Sequence, residues 1–370
     1  VTARRRLGAY ARLTRLPAGL TVPGDIVAGA AAGGTPIGPR LLGPIASSLC
    51  LYWGGMALND YVDREVDARE RPERPVPSGA VSPAAALATA AALTAAGLGL
   101  TALAEGRRGL CTAVPLTAAI WTYDVLAKES PTAGPLVMAA ARALDVLRGA
   151  GPGRLTTALP TALLSGLHTA GVTTLSRHEA VAGTRPGEGA DSRQRPRGPD
   201  APHGSRTRAS GLAGAGVTGA AGDGPGGATS PDAASLTGPD VGTAFTGPRP
   251  DPGSDDLPGR RARHAVLRSL GASAAVTAGI GLAAKDAGRR DRIAAGGLAL
   301  GFLAAAGAAP LAALRKPTPY RVRRAVAAGI RAMVPLQSAL CAAAGRGGAG
   351  LALLAACAPA RRLSRKVSLT

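Results

Sequence analysis

The stretch Asn59-Asp60-Tyr61-Val62-Asp63-Arg64-Glu65-Val66-Asp67 follows a run that is uncharged from residue 41 to residue 58. A run of that length and character suits a membrane-spanning helix. If the helix continues into the acidic stretch, Asp60, Asp63 and Asp67 fall three and four residues apart on one face, with Asn59 beside Asp63 at i, i+4. Like charges so spaced repel, and carboxylates at a helix C-terminus oppose its dipole. A sequence carrying both costs has a cation to satisfy. Oxygen donors with no nearby Cys or His suggest Mg²⁺, which takes one or two carboxylates plus substrate phosphates. The alternative is a solvated helix end rich in acids.

Working outward, the composition shows two populations. The 370 residues are 46% apolar by class but only 2% aromatic, and Ala and Gly carry much of the apolar share. Long uncharged segments make one population and a polar insert the other. The net charge of +20 would suit nucleic acid if it formed one patch on a soluble domain. Here the basic residues are scattered over the ends of apolar segments, the distribution of a protein anchored among anionic membrane lipids. No nucleic-acid partner is expected. Cys50, Cys111, Cys341 and Cys357 each lie inside an apolar segment without a CxxC pair and read as small buried hydrophobes. Arg4, Arg5, Arg6, Arg12 and Arg15 precede the first apolar stretch. With no clear cleavage site, that stretch reads as an uncleaved first helix.

Candidate spans cover residues 19–35, 41–58, the later part of 75–104, 109–123, the segment after Pro131, and 155–176. The first contains Asp25, whose burial at a helix centre costs roughly 2.5–3.5 kcal/mol, so it should sit near an interface or face the interior. Between the second and third lies a charged, proline-rich loop that forbids regular helix. Residues 184–263 are rich in Gly, Pro, Ser, Asp and Arg and lack a long apolar run, the signature of a disordered insert. Apolar segments resume at 265–284, 293–314 and 325–360, the last interrupted near Gly345. The expected architecture is an all-α, multi-pass transmembrane bundle of about nine helices. Residues 1–183 carry six helices and the acidic motif, 184–263 the insert, and 264–370 the last three helices. Helices this rich in Ala and Gly associate in lipid by close backbone approach.

Charged clusters follow the second, fourth and sixth spans: the acidic motif, Tyr123 with Lys128, and Arg177 with Glu179. Alternating spans bring all three to one membrane face, where carboxylates could hold a cation and Lys128 and an Arg could contact phosphate. Acidic clusters at one face, rather than at the midplane, suit a diphosphate head group better than a translocated solute. His168, within span six, reads as a buried polar residue.

The chain resembles the UbiA superfamily of intramembrane prenyltransferases. Asn59 to Asp67 is similar to the family's NDxxDxxxD motif, Arg74-Pro75-Val76-Pro77-Ser78-Gly79 to its RPxPSG continuation, and Tyr123 with Lys128 to its YxxxxK element. The resemblance implies a helical bundle around a central cavity. It implies Mg²⁺-dependent transfer of a prenyl group from a polyprenyl diphosphate to a small aromatic, lipid or other acceptor. Carried over by position, Asp60, Asp63 and Lys128 are catalytic. Asp60, Asp63 and Asp67 with Glu179 are metal ligands, and Asn59, Arg74, Tyr123, Arg142 and Arg177 contact substrate. The family's second acidic motif has at least two aspartates, whereas here only Glu179 offers a carboxylate. An Asn usual near the first span is also absent after Arg15-Leu16-Pro17. A non-catalytic isoprenoid- or lipid-binding protein on the same scaffold is the other reading. The N-terminal arginines put the N-terminus inside, with the motif loops at the cytoplasmic face of the plasma membrane.

Overall fold

The computed structural model describes residues 3–15, 19, 21–178 and 258–356, all within one compact unit. Every regular element among them is helical. The 184–263 insert lies outside the described residues as far as 257. A helix already runs from Pro258, earlier than the 264 expected, because Arg260, Arg261 and Arg263 disguise its first turns as loop.

Helix α1 (Ala3–Leu13) precedes α2 (Val22–Gly33), which ends at Gly34 with φ 67°. The Thr35 amide returns to the Ala30 carbonyl at 2.8 Å and closes that helix end. Helix α3 (Leu42–Val62) leads into the short α4 (Arg64–Glu70). The proline-rich loop then turns at Gly79, φ 73°, and buries Val76 and Val81 against Ala9, Leu13, Ala57 and Ala86. It is a packed cover over the end of α3 rather than a free loop.

Helix α5 (Pro83–Thr122) starts at an Ser82 cap and breaks at Gly106, where φ is 69° and ψ −169°. The break is a reversal. Trp121 Nε1 donates to Thr94 Oγ1 at 3.3 Å, whereas on a straight helix the two residues would stand about 40 Å apart. Glu105-Gly106-Arg107-Arg108 is therefore the turn that its composition suggests. One half of α5 packs on Gly54 and sets its own Gly97 against Leu51, the other packs on Gly55 through Ile120, so both flank α3.

A π-helical turn (Tyr123–Ala127) follows, then α6 (Ala133–Ala150) and α7 (Leu155–Ser176). Gly29 of α2 and Gly149 of α6 interlock there. A Cβ on Gly29 would lie 1.7 Å from the Val146 carbonyl oxygen, and one on Gly149 would lie 2.0 Å from that of Ile26. The remaining helices are α8 (Pro258–Ala283), α9 (Arg289–Arg315), α10 (Pro319–Arg331), α11 (Met333–Ala343) and α12 (Gly347–Ala356). Thr318 caps α10, so that span begins before the Ala325 expected.

Among the described residues, five helical segments are long and apolar enough to cross a membrane: Pro39–Val62, Pro83–Ala127, Gly259–Ala283, Arg289–Arg315 and Pro319–Ala343. The architecture is thus a membrane helical bundle. The count of nine is not reached by length and hydropathy, since α2 is short and α6 carries Arg142, Asp145 and Arg148. Cys341 is buried as expected, Cys50 is half-buried, and Cys111 is exposed. In a bundle that faces lipid, an apolar span residue has no need of protein cover. Cys357 lies outside the described residues. His168 is buried: its Nε2 lies 3.0 Å from the Gly329 carbonyl oxygen, and its ring meets Phe302 edge-on at 5.0 Å.

Candidate active site

Helix α3 ends at Val62, yet its register carries through the break. The Asp63 amide bonds the Asn59 carbonyl at 2.9 Å, and the Asp67 amide bonds that of Asp63 at 2.8 Å. The three aspartates therefore keep the helical spacing, but they divide between two settings. Asp60 is 1% and Asp67 3% exposed. Arg74 Nη1 bridges them, at 3.6 Å from Asp60 Oδ1 and 2.6 Å from Asp67 Oδ2. Arg15 adds a second cation to Asp60 at 2.8 Å. Burial lowers the Arg15 guanidinium from its ordinary value, while Asp60 acts in the opposite sense. The RPxPSG-like loop and the end of α1 thus neutralise the buried carboxylates.

Asp63 faces the other way. Its Oδ1 pairs with Lys128 Nζ, and its Oδ2 accepts from Asn59 Nδ2 at 3.0 Å. The same Nδ2 donates to Asp124 Oδ1 at 3.2 Å. Lys128 is placed by the π-helical turn, where its amide bonds the Tyr123 carbonyl at 2.9 Å. Arg177, at the end of α7, spends its fork on backbone: Nη1 on the Lys128 carbonyl and Nη2 on that of Glu129 at 2.9 Å. It fixes the loop that carries Lys128. The three clusters after α3, after α5 and after α7 do meet at one end of the bundle. Glu179 lies outside the described residues.

Beside this polar end lies an open cavity lined by Tyr52, Met56, Asn59, Ile120, Tyr123, Asp124, Met138, Arg142 and Thr169 among others. Tyr123 and Arg142 are therefore cavity residues. Arg142 pairs with the fully buried Asp25 and stacks over the Tyr52 ring at 5.6 Å. Asp25 faces the interior, one of the two places open to it. Sequence reading passed over Asp124 and Arg15; the adjacency of Asp124 to Tyr123 was the available signal for the first.

Oxygen donors alone line this end, which fits a hard divalent cation. Among the described residues no three or more His, Cys, Asp or Glu side chains converge as a metal cage. The protein would give one or two carboxylates, with phosphate and water completing the shell, the usual Mg²⁺ arrangement.

Residues 20–184 match the model of the UbiA prenyltransferase family. Digeranylgeranylglyceryl phosphate synthase of Methanopyrus kandleri is 35% identical over 117 residues, which cover 32% of this chain and 41% of that protein. The chain thus spans about two-fifths of the length of such curated relatives. A structure of digeranylgeranylglyceryl phosphate synthase in membranes superposes with a TM-score of 0.56 at 17% identity, over 92% of this chain and 99% of that one. A UbiA homologue from Archaeoglobus fulgidus, bound to GPP and Mg²⁺, gives 0.53 at 13% identity, over 88% and 99%. At these identities the structural likeness shows a shared fold.

Proposed function

Residues 20–184 belong to the UbiA prenyltransferase family, and from that premise we propose that this membrane protein transfers a prenyl group from a polyprenyl diphosphate to a hydroxyl of a glyceryl-phosphate lipid. The observation that carries the reading is the meeting of Asp63, Asn59 and Lys128, from two separate helices, beside an apolar-walled cavity. The names of the relatives support a lipid acceptor over a small aromatic one.

Of the motif carboxylates Asp60, Asp63 and Asp67, it is Asp63, beside Asn59, that would hold Mg²⁺ on the diphosphate, while Asp60 and Asp67 are turned to Arg15 and Arg74. When bound, the metal neutralises charge on the leaving group. Lys128 supplies a cation to the diphosphate oxygens, and Arg74 and Arg15 hold the motif in place. The allylic C–O bond breaks with its electron pair leaving on diphosphate. Ile120, Met56 and Met138 line the cavity and keep water from the allylic cation. The acceptor oxygen then bonds the cation, and its proton goes to the departing diphosphate. Tyr123 and Arg142 line the space in which the acceptor would sit.

A cytoplasmic placement of the motif end, in the plasma membrane, follows from the N-terminal arginines and from the Arg and Lys near Arg71, Arg261 and Lys316, against which stand Arg107, Arg108, Lys285 and Arg289 at the other end. The ion pairs already made by Asp60, Asp63 and Asp67 favour a second reading, a scaffold that binds an isoprenoid without transferring it.

The test is transfer from labelled geranyl, farnesyl and geranylgeranyl diphosphates in reconstituted membranes, with and without Mg²⁺, to glyceryl-phosphate lipids and aromatic acceptors. Mg²⁺-dependent lipid product, lost in Asp60→Ala and Asp63→Ala, is expected. Diphosphate binding without product would favour the scaffold, and product on the aromatic acceptors alone would overturn the lipid assignment.

A further inference from the structure

Four helices meet in a corner at the end of α7. Val172 and Leu175 of α7, Ala265 and Val266 of α8, Ala313 of α9, and Val322, Ala325 and Val326 of α10 form one buried apolar cluster there. The outward side of the same turns is basic. Arg260, Arg263 and Arg268 from α8, Arg315 from the end of α9, and Arg323 and Arg324 from α10 are all exposed. The described parts of α7, α8 and α10 contain no Asp or Glu, and the one acid of α9, Asp291, stands at its opposite end. Other clustered cations of the chain have acids beside them. Arg15, Arg74 and Lys128 pair with the motif aspartates, and Arg148 pairs with Glu105.

The corner lies at the depth of a lipid headgroup. Helix α8 has 26 residues, about 39 Å of helix against a hydrocarbon core of about 30 Å. The surplus belongs at its charged start, which carries Arg260 and Arg263 into the polar layer. Tyr320 is 66% exposed, and the Arg324 guanidinium lies over its ring at 5.7 Å. Leu267, one turn from Arg263, is 50% exposed. A soluble polyanion would satisfy the arginines and leave Leu267 and Tyr320 in water. A bilayer interface satisfies both kinds of side chain, since aromatic rings settle at headgroup level and basic clusters attract anionic lipid there.

The same charge presses on the end of α7. Arg261 and Arg268 stand near enough to His178 to disfavour its protonation, and Arg177 adds to them. Arg177 in turn holds the carbonyls of Lys128 and Glu129. Like charges grouped in this way repel, and an anion among them relieves the repulsion.

We propose that the corner formed by α8, the end of α9 and α10 is a binding surface for the anionic headgroups of bilayer phospholipids, and that a bound headgroup steadies the end of α7 together with the Lys128 loop. The phosphodiester oxygens accept from the guanidinium forks, which match phosphate geometry. The acyl chains run down beside Leu267. The inference holds whether or not the chain transfers a prenyl group.

The experiment uses the full chain in detergent micelles, with phosphatidylglycerol and phosphatidylcholine as probes and bound lipid counted by native mass spectrometry. The triple variant Arg263→Gln/Arg268→Gln/Arg324→Gln is expected to lose at least about threefold in phosphatidylglycerol affinity and to keep its weak phosphatidylcholine binding. Arg107→Gln/Arg108→Gln/Arg290→Gln makes the same charge change at the opposite end and should bind phosphatidylglycerol as wild type does. Should the first triple variant not fold, the pair Arg263→Gln/Arg324→Gln carries the comparison. Phosphatidylglycerol should also raise the melting temperature of the wild type more than that of the corner variant.

Equal losses in the two triple variants, or wild-type affinity in both, would overturn the corner as a site. Full displacement of the lipid by inorganic phosphate would make the ligand a free anion and overturn the lipid assignment. A thermal gain that survives in the corner variant would overturn the link to α7.

Discussion

Arg15 and Asp60 meet with Nη2 2.8 Å from Oδ1, and Arg15 keeps its backbone at φ 46° in doing so. A non-glycine residue in that region gives up about 1–2 kcal/mol. The same guanidinium lies 3.4 Å from Asn59 Oδ1. One residue thus ties the end of α1 to both leading residues of the acidic motif. Arg15→Ala removes the tie and keeps the strain, whereas Arg15→Gly removes both. We expect Arg15→Gly to melt no lower than Arg15→Ala, with both losing at least about tenfold in transfer rate. Melting curves in detergent and initial rates separate the two effects.

Lys128 and Arg177 should differ in kinetic signature. Lys128 pairs with Asp63, and in the proposed reaction it contacts the diphosphate, so Lys128→Met should lower kcat by about 10²–10³. Arg177 acts through the carbonyls of Lys128 and Glu129. Arg177→Ala should raise KM for the prenyl diphosphate and reduce kcat/KM by roughly one to two orders of magnitude, through a misplaced Lys128. Equal kcat losses in the two variants would give Arg177 a direct contact with substrate instead.

The α2–α6 contact depends on two glycines. A Cβ on Gly29 or Gly149 would collide with backbone of the facing helix, at 1.7 Å and 2.0 Å. Gly29→Ala and Gly149→Ala should each destabilise by about 1–3 kcal/mol as the helices separate. Gly301 has open space where its Cβ would stand, so Gly301→Ala should stay within about 0.5 kcal/mol of wild type. Thermal unfolding of the three variants in one detergent makes the comparison.

His178 gives the fold an acid-sensitive end. Burial lowers its imidazole from the ordinary value; Arg177, Arg261 and Arg268 push the same way, and the Thr174 carbonyl opposes them. The folded chain therefore resists a proton that the unfolded chain accepts below about pH 6.5. The stability contribution is complete above that pH and declines as pH falls from there toward the folded value. Melting temperatures at pH 7.5 and 5.5 should differ less in His178→Gln than in wild type, and an unchanged difference would count against His178 as the source.

The proline-rich loop shows where sequence reading stopped. Its charges and prolines mark a break in helix, which is correct. They do not show that Val76 and Val81 fold back under α1, because that burial depends on residues distant along the chain. Glu105-Gly106-Arg107-Arg108 was easier: a glycine among charges between two apolar runs is a local signal for a turn, and the chain reverses there.

The amino-acid sequence by itself determined the membrane helical class, the acidic motif after the second apolar run and the placement of Tyr123 and Lys128 after the fourth. All three follow from local quantities: hydropathy, helical spacing and the placement of charge. Only the tertiary structure decided which carboxylate meets which cation. Asp60 and Asp67 turn to Arg15 and Arg74, while Asp63 turns to Lys128 and shares Asn59 with Asp124. Residues three and four apart lie on one helical face, but the helices packed around that face set the partner of each side chain, and those helices come from remote parts of the chain.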